Sequence, residues 1–200
     1  MGLFTRDLQS LGDLFMDGLK DIYYVENQIV KTLPKLIEEA SDAALKKGLK
    51  QHLVETEEQV LRLEQVFEML GESAQGKRCP GIDGILKEGD EVLGNVDGRT
   101  ATNAAIVAAA QAVEHYEITR YGTLIAWATE LDKEEVVPLL DRNLREEKAA
   151  DKKLTAIAEA RVNRGSSRRG RKAGRRSSAK RKVSRSPVKR KRPAARRRAS

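Results

Sequence analysis

Residues 112–124, AVEHYEITRYGTL, place two glutamates on the side of a helix that ought to be apolar. Counted in steps of three and four, Ala110, Glu114, Glu117, Tyr121, Leu124, Ala128 and Leu131 form one stripe, and its other members are apolar or aromatic. A carboxylate turned into a core is costly unless a counter-charge meets it. The other periodic segments repeat the anomaly. In 7–39, Glu26 interrupts a face of Leu8, Leu11, Phe15, Leu19, Ile22, Ile29, Leu33 and Leu36. In 42–70, His52, Glu55 and Gln59 run along the edge of a stripe carrying Leu45, Leu49, Thr56, Leu63 and Phe67. In 133–160, Glu147 and Asp151 interrupt Val136, Leu140, Asn143, Leu154 and Ala158. Each of the four helices aims an acid inward near the middle of its length.

Between the second and third segments lies a glycine-rich connection, about 71–101, with one short helix expected near 82–93. A connection this long suits a crossover between helices that are not antiparallel neighbours. The pattern predicts an all-α protein, a four-helix bundle with one long crossover over about 5–160, followed by a separate tail over 161–200. Thr5 and Ser41 are candidate N-caps, Gly71 closes the second helix, and Pro138 falls near the start of the fourth, where proline is tolerated. Pro34 should bend or interrupt the first helix.

Five or six carboxylates sharing one core repel each other, and two divalent cations would supply the missing charge. In di-iron and di-manganese carboxylate bundles, two helices give one Glu each and two give Glu-x-x-His. The match here is incomplete: His52 precedes Glu55 by three residues, the reverse order, and the last helix has no histidine. The candidate ligands are Glu26, His52, Glu55, Glu114, Glu117, Glu147 and Asp151, with a di-iron centre expected and manganese or zinc as alternatives. A bundle filled only by side chains, its glutamates on solvated faces, is the competing reading. Tyr121 could hydrogen-bond a ligand carboxylate. Tyr23, Tyr24 and Tyr116 are expected to pack, and Glu57, Glu58, Glu64, Glu134, Glu135, Glu146 and His115 to lie at the surface.

Five blocks then resemble a known family. DIYYVENQ, HLVETEEQVLRLEQVF, KRCPGIDGILKEG, AAAQAVEHYEITRYGTL and LREEKAADKKLTAIA are similar, in order and spacing, to the YciE/YciF family of ferritin-like proteins over about residues 5–160. The resemblance implies a ferritin-like bundle, a homodimer, a metal-binding centre and an association with stress response. All seven candidate ligands fall inside matching blocks, while Glu57 departs from the histidine that some relatives carry.

Charge divides the chain in two. Residues 161–200 hold 19 of the 38 Lys+Arg and none of the 30 Asp+Glu, leaving the first 160 residues at −11 and the tail at +19. Small residues and no aromatics separate the basic clusters, so the tail is expected to be disordered and to bind DNA, or RNA, through phosphates with little sequence preference. The contacts would fall to Arg168, Arg169, Arg171, Lys172, Arg175, Arg176, Lys180, Arg181, Lys182, Lys189, Arg190, Lys191, Arg192, Arg196, Arg197 and Arg198. Cys79 is the lone cysteine, and no run reaches the roughly 18 apolar residues of a membrane span. A cytoplasmic, nucleoid-associated protein with no membrane partner is expected. Two functions fit: a DNA-tethered di-metal stress protein with ferroxidase- or peroxidase-like activity, or a non-enzymatic DNA-compacting protein whose bundle serves as a dimeric body.

Overall fold

The computed structural model describes residues 8–164, and every regular element in that range is helical. The expected cap Thr5 and the basic residues from Arg168 to Arg198 lie outside the described residues.

Helices α1 (Leu11–Glu39), α2 (Ala43–Met69), α4 (Arg99–Glu130) and α5 (Val137–Ile157) form the bundle, and α3 (Pro80–Asn95) occupies the connection. Around the bundle, α1 packs on α2 and α4, and α5 packs on α2 and α4. The helices on either side of the crossover are therefore diagonal partners, which is why a tight turn could not join them. The crossover is tied down along its course. The Lys77 N–H donates to the Lys20 carbonyl at 3.0 Å, its ammonium reaches Asp17 at 2.8 Å, and α3 packs against α4.

Local chemistry sets the helix ends. Helix α1 starts at Ser10, whose hydroxyl accepts from the Asp13 N–H while Asp13 accepts from the Ser10 N–H. This reciprocal box, readable as S-x-x-D, begins the helix later than Asp7, where periodicity alone placed it. Helix α2 is capped by Asp42, whose carboxylate accepts from Ala44 and Leu45. The expected cap Ser41 instead gives its N–H to Asn103 on α4. Gly71 ends α2 at φ 72°, a conformation costly for a side-chain-bearing residue. Pro138 sits in the first turn of α5.

Pro34 does not interrupt α1, which runs unbroken to Glu39. It lies on the exposed side, where water can take the carbonyl it leaves without a donor. The apolar stripes meet in one core that includes Phe15, Leu19, Ile22, Leu45, Leu63, Phe67, Leu124 and Leu140.

Candidate metal centre

Helical spacing brings the acids to the middle of that core. On α1, Glu26 lies one turn from Ile22 and Ile29; on α4, Glu114 and Glu117 follow Ala110 and precede Tyr121; on α5, Glu147 lies between Asn143 and Leu154. Glu26, Glu117 and Glu147 are fully buried and Glu114 is 1% exposed. From α2, His52 places its Nε2 3.2 Å from an oxygen of Glu114. One ligand atom from each of His52, Glu114, Glu117 and Glu147 lies within 4.8 Å of the others.

The remaining expected ligands stand around this group. Glu26 is beside it and raises the charge felt by Glu114 and Glu117. Glu55 is half-buried, accepts from Gln51, and shares a pocket with His52 and Glu114. Asp151 is half-buried, accepts from Gln111 at 2.8 Å, and sits 3.4 Å from the exposed His115.

A chain of donors supports the acids from one side. Buried Arg62 donates from Nε to Asn143, Asn143 donates to the Tyr121 hydroxyl at 2.9 Å, and that hydroxyl donates to Glu26. Tyr121 thus makes the bond its place in the stripe suggested. Arg62 also pairs with Glu146, and Gln59 donates to both Glu146 and Glu147. Glu146 was expected at the surface, but it is drawn partly inside because buried Arg62 needs an anion. Gln59 and Asn143 were visible in their stripes without an assigned role. Arg62 carried no sequence signal, since an arginine on an amphipathic helix is ordinarily exposed.

The other tyrosines pack and also bond outward. Tyr23 meets Phe67 edge to face and donates to Glu64, Tyr24 donates to Asp83, and Tyr116 donates to Asp21.

Among the described residues, these donors leave six buried oxygens without a partner: one each on Glu26, Gln59, Glu114 and Glu147, and both of Glu117. All are acceptors, they come from all four bundle helices, and four of them belong to the acids grouped with His52. An anion or a neutral donor-poor ligand would worsen this arrangement; a cation satisfies it. The residues present therefore fit a hard or borderline divalent metal.

Without such a cation, Glu26, Glu114 and Glu117 hold their protons more tightly than free carboxyls do. Burial, followed by the neighbouring Glu147, pushes Glu26 and Glu114 well above their ordinary 4.5, with the Tyr121 hydrogen bond opposing the rise at Glu26. Burial and then Glu26 and Glu147 do the same to Glu117. A carboxyl whose folded value is raised stabilises the fold fully below its unfolded value, and that contribution is lost as pH rises through the folded value. The metal-free protein should therefore lose melting temperature as pH rises above the ordinary carboxylate range. Glu117→Gln, which cannot ionise, should flatten that slope in thermal melts followed by circular dichroism.

Residues 10–167 match a family described as a domain of unknown function, DUF892. The chain is 37% identical over 158 residues to protein YciF of Escherichia coli K12, covering 78% of this chain and 95% of that protein. The crystal structure of the same E. coli stress protein matches with a TM-score of 0.74 over 78% of this chain and 98% of the other. YcfI from Rhodopseudomonas palustris is 55% identical, with a TM-score of 0.76 over 78% of this chain and 99% of its own. The bundle with its crossover is accordingly a ferritin-like fold. The family match stops at residue 167, leaving the basic clusters from Arg168 onward outside it. With its residues 10–167 matched and its bundle shared with these relatives, the chain belongs to the DUF892 family, that of the E. coli stress protein YciF.

Proposed function

We propose that the chain is a di-metal carboxylate protein of the stress response, in which the bundle holds iron and residues 161–200 carry it to DNA. The observation that carries the metal half is the set of six buried, donorless oxygens among the described residues, four of them on the acids grouped with His52. Stoichiometry follows from charge. Glu26, Glu114, Glu117 and Glu147 bring four formal negative charges, and buried Arg62, whose charge reaches Glu26, is already paired with Glu146. One divalent ion leaves the site at −2; two neutralise it.

His52, Glu114, Glu117 and Glu147 would hold the first ion, with Glu26 and Gln59 offering oxygens toward the second. Bound iron would supply electron transfer to dioxygen or peroxide. The chain's own part is to fix the ligands: Tyr121 orients Glu26, Gln59 orients Glu147, and the surrounding core keeps bulk water away. Among the described residues no helix is long and apolar enough to cross a membrane. A homodimer is part of the same reading, with Val54 and Leu61 offering exposed apolar contacts one heptad apart on α2.

Protein purified without a metal-affinity tag and reconstituted anaerobically with ferrous iron should hold about two ions per chain by elemental analysis, the number that charge balance requires. Glu114→Ala should bind less. A chain that takes up no iron, manganese or zinc refutes the metal reading. The charge of the tail favours a second function, DNA compaction by a dimeric body without turnover. Consumption of peroxide that depends on ferrous iron separates the two, since the compacting protein has none.

A further inference from the structure

The centre is not sealed equally on all sides. His52 keeps 8% exposure while Glu117 and Glu147 keep none, so the cluster opens at its imidazole end. There a pocket of about 100 Å³ lies between α2 and α5. Its inner end is His52 and Glu114, its walls include Leu49, Leu154 and Ile157, and half-buried Glu55 and exposed Lys153 also line it. A smaller gap of about 20 Å³ touches the same His52 and Glu114 from the side of Leu33 and Val113.

We propose that the larger pocket is a binding chamber for dioxygen, delivering it to the His52–Glu114 end of the metal centre. The inference rests on the metal reading for what the guest meets, but the chamber belongs to the chain itself. Its aliphatic walls favour an uncharged guest, because an ion would give up hydration against them, and the opposite charges of Glu55 and Lys153 offset one another in the lining. Aliphatic surface of this kind is where small apolar guests settle. Size is limited by the helix contact. A Cβ on Gly48 would lie 3.6 Å from Ile157 Cδ1 and 3.7 Å from Lys153 Cε, so the absent side chain of Gly48 keeps the space open. A larger residue there has only the chamber to occupy.

Two probes test this. Crystals of the metal-free full-length chain under xenon pressure should show xenon against Leu49 and Leu154, and Gly48→Leu should remove it. Nitric oxide, a neutral diatomic that reports binding rather than turnover, should associate with the ferrous-loaded protein about tenfold or more slowly in Gly48→Leu. Ile157→Ala, which widens the chamber and fills nothing, should speed association and keeps the test available if Gly48→Leu does not fold. Ferrous content should be unchanged in both. Xenon excluded from the native chamber, or equal nitric oxide rates in all variants, overturns the proposal. So does a Gly48→Leu protein slowed in iron uptake but not in nitric oxide binding, which would make the chamber a cation route. If the chain binds no iron, the metal reading fails, and the xenon experiment still judges the chamber alone.

Discussion

Two equivalents of ferrous iron, added without oxygen to the metal-free protein at neutral pH, are expected to raise its melting temperature by on the order of 10 °C. The size follows from linkage: a ligand at about a thousand times its dissociation constant stabilises the native state by roughly 4 kcal/mol. Here the gain is compounded, because the metal-free core holds three carboxyls whose affinity for protons is raised by burial. Binding metal releases those protons, so the shift should grow with pH across the range in which the metal-free protein weakens. Glu117→Leu should behave in the opposite way. It removes both oxygens of the acid that has no donor at all, so the metal-free variant should melt higher than the parent and gain little from iron. Calorimetry at pH 6, 7 and 8 checks all three outcomes, and a parent protein indifferent to iron would refute the prediction.

Removing residues 161–200 should abolish binding to duplex DNA at moderate salt, a loss of about a thousandfold or more in affinity. The removed segment carries +19 and the remaining chain −11, so phosphate should repel what is left. For the full chain, the logarithm of affinity should fall steeply and linearly with the logarithm of salt, as counterion release requires. In a dimer the two arms would raise the effective concentration of one another and bridge duplexes. Iron content of the truncated protein should match the parent, since every candidate ligand lies at or before residue 151, and helicity should fall only by the helical residues 161–164, of which Val162 is buried. Fluorescence anisotropy against salt, with elemental analysis of both proteins, measures this. Undiminished binding by the truncated protein would place nucleic-acid contact on the acidic bundle and overturn the prediction.

The helices and the acids facing the core were legible because a 3.6-residue period is a strong signal over segments of this length. Glu26, Glu114, Glu117 and Glu147 each stood in the centre of an apolar stripe, and each is buried. Glu55 stood at the edge of its stripe, and Asp151, read inside its own, lies at the edge of it. One residue turns a helix by about 100°, so an edge position is decided by how the neighbouring helices pack, and both came out half-buried. The supporting residues were harder to read for a different reason. Arg62 is inside because Glu146 and Asn143, more than eighty residues away in sequence, meet it there. A single helix carries no trace of that partnership. The capping boundaries were local and could have been read more closely: S-x-x-D at Ser10 and the adjacent Ser41-Asp42 pair both offered the carboxylate that the structure uses.

The central claim is that divalent metal lies among His52, Glu114, Glu117 and Glu147. Anomalous diffraction at the iron absorption edge, from crystals of the ferrous-reconstituted full-length protein, measures it directly. The account predicts two peaks in the bundle core, the stronger with ligand atoms of those four residues at about 2.0–2.2 Å. A core without anomalous signal, in protein whose only iron sits on surface carboxylates, would contradict it.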